Sequence, residues 1–430
     1  MKVLIIGSGG REHALAWKTL QSANVDHVYV APGNGGTASE NGMTNVDIAV
    51  DDTNKLVEFA KNNNIELTIV GPEAPLVIGA VDAFEQAGLR CFGPKKGAAQ
   101  LEGSKAFTKD FLARHKIPTA AYKSFTQVDE AVAYIKSLGA PLVVKADGLA
   151  AGKGVIISHT EDEAIKAAED MLTAGSFGDA GNKIVIEQFL TGEEASFIVM
   201  VDGKNILPLA TSQDHKARDD GDKGPNTGGM GAYSPAPVVT PEIHNRIMNE
   251  VIIPTVNGLA SEGTPYTGFL YAGIMVAPDG TPNVLEFNCR FGDPETQPIM
   301  MRLKSDLVAL CDAALDGKLD SATAEWDSRA ALGIVLAAGG YPESYRKGDV
   351  ISGLSENKDT NSKVFHAGTI AKEGDIVTNG GRVLCATALG ATVAEAQEKA
   401  YDLAKQINWQ DVFYRKDIGY RAVAREQERA

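Results

Sequence analysis

The sequence LEFNCRFGDPE, residues 285–295, combines an apolar strand pattern with polar side chains at every second position. Because successive side chains of a strand point to opposite faces, Glu286, Asn288 and Arg290 are predicted to share one face. A carboxylate beside an amide oxygen suits a hard cation such as Mg²⁺, and the arginine could hold an anion next to it. The strand is expected to end at a turn over residues 292–294. By itself the pattern also fits an ordinary amphipathic strand, so its interpretation depends on the segments upstream.

A glycine-rich loop between two predicted strands lies upstream, in PLVVKADGLAAGKGVII, residues 141–157. Lys145 ends the first strand, and the loop then carries three glycines and a second lysine: Gly148, Gly152, Lys153 and Gly154. Glycines let the backbone approach phosphates closely, while exposed amides and lysines supply positive potential. The glycine spacing and the β-like residues that follow exclude a Walker loop. We therefore predict a phosphate-covering flap at the tip of a β-hairpin, with an ordinary turn as the alternative.

A third segment, KIVIEQFLTGEEASFIVMV at residues 183–201, predicts two strands joined by a short connection. The first strand ends at Glu187 and the second opens at Glu194, so the Glu194 carboxylate, seven residues after a strand end, could return to the same cleft and bind ribose hydroxyls. The connection contains Phe189 and Leu190, whose backbone and apolar side chains could contact an adenine ring. Solvated acids on an ordinary connection are the alternative. The three segments in this order are far more specific than any one of them.

Near the N-terminus the sequence alternates predicted strands and helices, which indicates a parallel sheet with helices on both faces. The first turn, GSGGREHA at residues 7–14, is similar to a dinucleotide-binding turn. It has Glu12 in place of the third glycine, however, and no acid follows the strand at residues 28–31. We therefore expect residues 9–11 to bind a phosphate at a helix N-terminus, the alternative being a tight turn only.

Several elements are predicted from local composition. A strand is expected at residues 46–50, a single helix near residues 76–87 and another at residues 241–260. Residues 214–232 are too polar and too rich in glycine for a core element, so we predict a long functional loop there. From about residue 327 the pattern becomes β-rich.

Composition limits the class of protein and its partners. A chain of 430 residues is expected to form two to four domains, and a net charge of −15 argues against nucleic acid or an anionic membrane as partner. Its four cysteines are too scattered for a zinc site or a disulfide framework: Cys91, Cys289, Cys311 and Cys385. No apolar run suits a signal peptide or a membrane span. We expect a cytoplasmic protein with small-molecule partners, and a monomer as the default state.

In chain order, the basic and acidic motifs resemble the ATP-grasp superfamily. They are Lys105, Lys145 with its flap, the segment from Glu187 to Glu194, and the pair Glu286 and Asn288. Four further motifs are similar to those of the glycinamide ribonucleotide synthetases: GSGGREHA at 7–14, APGNGG at 31–36, GPEAPLVIG at 71–79 and DHKARDDGDKGPNTGGMGAYSP at 214–235. The resemblance covers essentially the whole chain.

This resemblance implies an α/β fold that is α+β in parts. The expected domains are a parallel α/β domain at residues 1–103, an ATP-grasp domain at residues 104–326 and a β-rich domain at residues 327–430. A small lobe of the ATP-grasp domain, which carries the flap, is expected at about residues 121–190.

The implied activity is that of an ADP-forming phosphoribosylamine–glycine ligase of purine synthesis. ATP, glycine and 5-phosphoribosylamine would give glycinamide ribonucleotide, ADP and phosphate through a glycyl phosphate intermediate, with Mg²⁺ or Mn²⁺ bound. Another ATP-grasp carboxylate–amine ligase is the alternative, and a nucleotide-binding regulator without turnover is a third reading. The intact metal pair and both lysines argue against the third.

The resemblance also implies a role for each candidate site residue. The ATP-binding residues would be Lys105, Lys145, Gly148, Gly152, Lys153, Gly154, Glu187, Phe189, Leu190 and Glu194. The metal would be held by Glu286 and Asn288, and Arg290 and Lys145 would be catalytic. The substrates would be bound by Gly9, Gly10, Arg11, Glu73, Asp214, Lys216, Arg290 and Gly292. Many ATP-grasp enzymes carry one more acid on the preceding strand, but GFLYAGIMV at residues 268–276 has none, which leaves the number of metal ions open.

Overall fold

The fold is described from a computed structural model, which covers residues 1–149, 154–173, 181–354 and 359–429. The strands in these ranges form four larger sheets and two short hairpins. None of the helices in the described part of the chain is both long and apolar enough to cross a bilayer.

The N-terminal part is a parallel sheet of five strands in the order β3-β2-β1-β4-β5, as the alternating sequence predicted. The strands are Lys2–Gly7 (β1), His27–Pro32 (β2), Met43–Asn45 (β3), Leu67–Val70 (β4) and Cys91–Phe92 (β5). The helices are Gly10–Thr19 (α1), Gly35–Ser39 (α2), Thr53–Asn62 (α3), Glu73–Ile78 (α4), Ala80–Gln86 (α5) and Gln100–Gly103 (α6). Helices on both faces leave residues 3–6 of β1 fully buried, which is why these four residues are all apolar.

Two local predictions in this part were wrong. The third strand lies at Met43–Asn45 rather than at residues 46–50. The single helix expected near residues 76–87 is two helices, because Gly79 takes a left-handed conformation (φ 100°) that ends α4.

The small lobe is an antiparallel sheet of four strands, in the order β6-β9-β7-β8, with its own apolar core. Its strands are Tyr122–Phe125 (β6), Leu142–Ala146 (β7), Val155–Ser158 (β8) and Ile184–Gln188 (β9). Its helices are Val128–Leu138 (α8) and Glu161–Thr173 (α9), and Lys105–Arg114 (α7) leads into it. The β7–β8 hairpin predicted around the flap is present. Gly152 and Lys153, at the tip, lie outside the described residues.

The large lobe is built on the antiparallel sheet β11-β10-β16-β17. These strands are Glu193–Asp202 (β10), Ile206–Pro208 (β11), Thr267–Val276 (β16) and Pro282–Asn288 (β17). The helical stretch expected at residues 241–260 comprises Pro241–Ile247 (α10), a π-helical turn at Met248–Ile252 and Ile253–Ser261 (α11). Thr296–Arg302 (α12), Leu307–Leu315 (α13) and a 3₁₀ turn at Leu319–Ser321 follow.

The C-terminal sheet recruits strands from the segment predicted to be a loop. Residues 214–232 are not one long loop, since they contain strands within Gln213–Asp214 (β12), Ala217–Asp219 (β13), Lys223–Asn226 (β14) and Gly231–Ser234 (β15). The sheet order is β12-β15-β18-β22-β19, so it is assembled from both sides of the boundary predicted at residue 327. Its other strands are Ala330–Ala337 (β18), Ser362–His366 (β19) and Arg382–Gly390 (β22). Thr369–Lys372 (β20) and Asp375–Thr378 (β21) form a hairpin, and the helices are Val393–Ala404 (α14) and Tyr420–Arg429 (α15).

Candidate active site

A cavity of about 380 Å³ lies where the N-terminal part, the two lobes and the C-terminal sheet meet. Most of the site residues predicted from the sequence line it: Arg11, Glu73, Lys105, Lys145, Gly148, Gly154, Glu187, Asp214, Lys216, Glu286, Asn288, Arg290 and Gly292. Among the predicted residues that the structure describes, those not in its lining are Gly9, Gly10, Phe189, Leu190 and Glu194. Segments far apart in the sequence therefore converge on one volume.

The predicted metal pair lies at the end of β17. In the antiparallel ladder Glu286 is opposite Gly273, and Asn288 is opposite Tyr271. A side chain at Gly273 would place its Cβ 3.3 Å from Glu286 Cγ, so the glycine leaves room for the carboxylate. A bulge at Leu285 interrupts the ladder, and the Leu285 carbonyl accepts a hydrogen bond from Lys145 Nζ at 3.1 Å.

Both members of this pair present an oxygen. Burial opposes ionisation of Glu286, but Lys216, Lys145 and Lys105 outweigh it and lower the pKa of its carboxyl below the ordinary value. In the orientation that satisfies both sides of its amide, Asn288 donates to Glu102 Oε1 at 3.1 Å and to Phe287 O at 3.2 Å. Its oxygen is then free to accept a bond or to bind a cation.

The basic wall of the cavity is organised around Glu187. Lys145 Nζ lies 2.9 Å from Glu187 Oε1, and Lys109 Nζ lies 3.0 Å from Glu187 Oε2, with all three side chains buried. Both Glu187 oxygens therefore face lysines, and the role of Glu187 in ATP binding stays a prediction. Lys105 Nζ donates to the carbonyl of Gly148 at 2.8 Å, which ties α7 to the start of the flap.

Arg290 is held by two acids on the N-terminal side. Its Nη2 lies 2.7 Å from Glu102 Oε1, and its Nε lies 3.2 Å from Glu73 Oε2. Burial raises the pKa of Glu102 to about 7. Burial also acts on Glu73, but Arg290 and Arg11 outweigh it and lower the pKa of Glu73 to about 2. Glu73 therefore contacts an arginine here, where the sequence suggested ribose hydroxyls.

A second acidic cluster lies around Lys216 in the cavity lining. Lys216 Nζ forms an ion pair with Glu194 and lies 3.6 Å from Glu286 Oε1, so Glu194 also faces a lysine. Burial raises the pKa of the Asp214 carboxyl well above its ordinary value. Glu295 accepts a hydrogen bond from Ser196 Oγ at 3.0 Å, and burial raises its pKa as well. The neighbouring cations do not offset the effect of burial on the pKa values of Asp214 and Glu295. A positively charged ligand beside these carboxyl groups would favour their ionised form.

The N-terminus of α1 does not offer the free amides expected from the sequence. The amide of Arg11 donates to Asp293 Oδ2 at 3.1 Å, and the amide of Gly9 donates to Glu12 Oε2 at 2.6 Å. The Arg11 side chain turns inward, where it bonds to Glu12 Oε1 at 2.6 Å. Two carboxylates thus occupy the places that a phosphate was expected to take. Gly9 instead lines a second cavity of about 320 Å³, which shares Asp293 and Arg382 with the first.

Sequence reasoning missed five charged residues that line the main cavity: Glu102, Lys109, Asp293, Glu295 and Arg382. Two of them lay within the decisive stretch at residues 285–295, and Lys109 stands one helical turn after Lys105. Arg382 had no local signal. It reaches the site because β22 brings it beside Asp293, whose carbonyl accepts a hydrogen bond from Arg382 Nη1 at 2.7 Å.

Among the described residues, no group of three or more His, Cys, Asp or Glu side chains could hold a metal ion alone. The Glu286–Asn288 pair would thus need ligands from a bound substrate or from water.

Comparison with known proteins places the chain in a defined context. Three family models match it: the phosphoribosylglycinamide synthetase N domain at residues 1–102, the ATP-grasp (A) domain at residues 103–296 and the C domain at residues 331–421. A phosphoribosylamine–glycine ligase of Vibrio parahaemolyticus is 70% identical over 429 residues, covering 100% of both chains.

Two solved structures extend the comparison. A phosphoribosylamine–glycine ligase of Thermotoga maritima is similar with a TM-score of 0.85 and 35% identity, over 97% of this chain and 100% of the other. The biotin carboxylase domain of a 2-oxoglutarate carboxylase from Hydrogenobacter thermophilus has a TM-score of 0.73 at 17% identity, over 96% and 91% of the two chains. The second likeness is one of fold alone.

Proposed function

The chain belongs to the phosphoribosylglycinamide synthetase family, and from that premise we propose that it joins glycine to 5-phosphoribosylamine in a reaction that converts ATP to ADP and phosphate. The products are glycinamide ribonucleotide, ADP and phosphate, in purine biosynthesis. The observation that carries this function is 70% identity to a ligase of that name over the full length of both chains. An ATP-grasp ligase for other substrates would share the nucleotide half and differ in the N-terminal part.

The reaction needs an activated carboxylate. Glycine's carboxylate is a poor electrophile, so one of its oxygens first attacks the γ-phosphorus of ATP, which gives glycyl phosphate and ADP. The sugar amine then attacks the acyl carbon: the C–N bond forms, the C–O bond to phosphate breaks, and the amine loses a proton. Such a sequence depends on alignment and charge neutralisation rather than on a protein nucleophile.

The nucleotide is proposed to bind against the basic wall. Lys105 and Lys145 would neutralise its phosphates, and Glu187 would hold Lys145 and Lys109 in place rather than contact ribose. Gly148 takes a positive φ of 91°, which only glycine adopts without strain, so the backbone can turn close to the phosphates. The remaining ATP contacts, Phe189 and Leu190 included, stay predictions.

The metal is proposed to bind Glu286 and Asn288. A carboxylate whose pKa is lowered by nearby lysines and an adjacent amide oxygen fit a hard cation such as Mg²⁺ or Mn²⁺. When bound, the cation would neutralise charge on the phosphate oxygens of the nucleotide. Gly273 supports this arrangement because it leaves space beside the Glu286 side chain.

Glycine is proposed to lie between Arg290 and the second acidic cluster. The guanidinium of Arg290 would face its carboxylate, while Asp214, with Lys216 beside it, would face its ammonium group. An ammonium there would favour ionisation of Asp214, whose pKa is raised by burial in the structure without ligands. Arg11 and Glu73 would border the sugar amine, and its 5′-phosphate would enter the second cavity, which Gly9 lines, since carboxylates already accept the Gly9 and Arg11 amides. The contact with Gly10 stays a prediction.

The decisive experiment measures phosphate release from ATP with glycine and phosphoribosylamine added separately and together. Glycinamide ribonucleotide and stoichiometric phosphate are expected only when all three substrates and Mg²⁺ are present. Turnover that does not depend on glycine, or that proceeds with another amine alone, would instead favour a different ATP-grasp carboxylate–amine ligase. We also infer a cytoplasmic monomer, which sedimentation and cell fractionation would test.

A further inference from the structure

A short hairpin joins two stretches of the active-site wall. Strands β13 and β14 span residues 217–226, and they pair with each other but with no other described strand. Asp214 and Lys216 precede the hairpin in the cavity lining, Asn226 is its last residue and Thr227 follows it there. The tip, residues 220–224, is exposed. The position of these lining residues therefore depends on what holds the hairpin.

The segment at residues 415–425 provides that contact through a buried arginine. Arg415 is only 1% exposed, and it inserts its guanidinium under the hairpin. Its Nη1 donates to the carbonyl of Ala217 at 3.1 Å, and its Nη2 lies 2.9 Å from Asp222 Oδ1. Its Nε donates to Asp417 Oδ1 at 2.8 Å, which fixes the guanidinium to its own segment. The planar guanidinium thus contacts Ala217 at the start of β13, Asp222 in the turn of the hairpin, and Asp417 in its own segment.

Further contacts repeat the same link. The amide of Lys416 donates to Asp220 Oδ1 at 2.8 Å, and the amide of Gly221 donates to Asp417 Oδ2 at 2.8 Å. Tyr420 adds a bond from its hydroxyl to Asp222 Oδ2 at 2.7 Å. These contacts involve three successive residues of the hairpin tip, Asp220, Gly221 and Asp222.

The 415–425 segment also contacts His215, which stands between the two lining residues Asp214 and Lys216. His215 is buried, and its Nε2 accepts a hydrogen bond from the amide of Gly419 at 2.9 Å. His215 stands between Asp214 and Lys216, both of which line the cavity. The 415–425 segment therefore holds the connection between β12 and β13, whose flanking side chains line the cavity.

We propose that Arg415 is a positioning residue: it fixes the 217–226 hairpin so that Asp214 and Lys216 keep their places in the cavity. Glycine is the substrate whose binding depends most on it, because the proposed glycine site uses both residues. The nucleotide contacts at Lys105 and Lys145 come from α7 and β7, which are separate elements. The proposal rests on the proposed function for the identity of that substrate.

The test compares three variants by steady-state kinetics with each substrate varied in turn. Arg415→Met removes the charge and keeps most of the volume, and Arg415→Lys restores the charge without the planar fork. Arg302→Met is the matched control, since Arg302 is also buried and donates to the Arg329 and Asp327 carbonyls and to Ser234 Oγ, not to the hairpin. Hydrogen exchange of the amides at residues 217–226 gives a readout that does not depend on activity.

Arg415→Met is expected to raise the Michaelis constant for glycine about tenfold or more, as for a misplaced charge-assisted contact, with that for ATP within about twofold. Hydrogen exchange at residues 217–226 should accelerate in Arg415→Met. Arg415→Lys should recover part of the lost glycine affinity. Arg302→Met should lower Tm but leave the Michaelis constant for glycine and the exchange at residues 217–226 unchanged. A lower Tm for Arg415→Met with an unaltered Michaelis constant for glycine, or an equal rise for all three substrates, overturns the proposal. A wild-type protein without glycine-dependent turnover would overturn the proposed function instead, so the two failures are distinguishable.

Discussion

At the scale of single residues, Glu286 illustrates how neighbouring charges decide the state of a buried carboxyl group. Burial alone would favour its protonated form, but three lysines and Arg290 surround it and keep its pKa below the ordinary value. Glu102, which is also buried, has its pKa raised to about 7 although Arg290 lies beside it. The two carboxyl groups therefore differ in protonation near neutral pH.

Replacing Glu286 by Gln should abolish most activity without unfolding the protein. Gln keeps the volume but removes the charge of the proposed metal pair, so turnover should fall about a hundredfold or more, beyond the range for loss of outer-shell partners. Initial rates measured over a Mg²⁺ titration, together with Tm, check this. Glu250→Gln is a matched control, because Glu250 pairs with Arg246 on a helix away from the cavity. Wild-type rates at ordinary Mg²⁺ for Glu286→Gln would contradict the assignment.

Glu102 should make stability depend on pH. Its folded-state pKa of about 7 lies above its ordinary value of 4.5, so its contribution is fully present below that ordinary value and is lost as pH rises through about 7. Glu102→Gln cannot lose this contribution. The unfolding free energy of the variant relative to wild type should therefore increase from pH 5 to pH 8, by on the order of 1–3 kcal/mol. Urea unfolding of both proteins at the two pH values measures it, and a pH-independent difference would refute it.

At the scale of elements, helix α1 is anchored at its first turn to the loop that follows β17. Asp293 accepts the Arg11 amide, while the Arg11 side chain donates to the Phe291 carbonyl at 3.2 Å. The negative charge of Asp293 at a helix N-terminus is favourable, and Arg382 on β22 lies beside it. The turn thus couples the N-terminal sheet to the loop after β17 and to the C-terminal sheet.

Arg11→Ala should affect both stability and one substrate. The variant leaves Glu12 without its ion pair, so Tm should fall. Because Arg11 lines the cavity on the N-terminal side, the Michaelis constant for phosphoribosylamine should rise several-fold while those for ATP and glycine change little. Lys18→Ala is a matched control on the same helix, since Lys18 is buried and donates to the Leu303 carbonyl away from the cavity. Equal effects of Arg11→Ala on all three substrates would place the sugar elsewhere.

At the scale of the whole molecule, one cavity unites four parts of the chain. Arg11 comes from the N-terminal part, Lys145 from the small lobe, Glu286 from the large lobe and Arg382 from the C-terminal sheet. The chain has a net charge of −15, yet it gathers basic side chains around this volume. A ligand bound there contacts every part and should stabilise all of them together.

Mg²⁺ and ATP should therefore raise the thermal stability of the wild-type protein. A ligand at a hundred times its Kd adds about 2.7 kcal/mol when it binds only the folded state. Lys145→Met should show a smaller rise in Tm with ATP, because its Kd for ATP is expected to be higher. The same ATP concentration is then a smaller multiple of Kd and adds less stability. Differential scanning fluorimetry with ATP, with and without EDTA, tests both expectations, and Lys55→Met is a control with an exposed lysine on α3. An equal shift in all three proteins would exclude Lys145 from the nucleotide site.

Much of this architecture could be predicted from local sequence. The strand that carries Glu286 and Asn288, the β7–β8 hairpin and the parallel N-terminal sheet follow from side-chain periodicity and glycine placement, which act over a few residues. The strand itself ends at Asn288, before the turn predicted at residues 292–294. The same patterns, in chain order, were sufficient for the family and for most of the charged residues that line the cavity. Local periodicity determines which face a side chain occupies, and that information is present before the chain folds.

Tertiary structure alone decided which charges meet. Glu187 and Glu194 were predicted to bind ATP, Glu194 through ribose hydroxyls, and folding places lysines from other elements against both. Asp293 occupies the helix terminus expected to hold a phosphate, and Arg382 and Arg415 act from segments with no local signal. The physical reason is that an ion pair depends on distance in space and on burial, whereas sequence periodicity carries no information about partners more than 100 residues away.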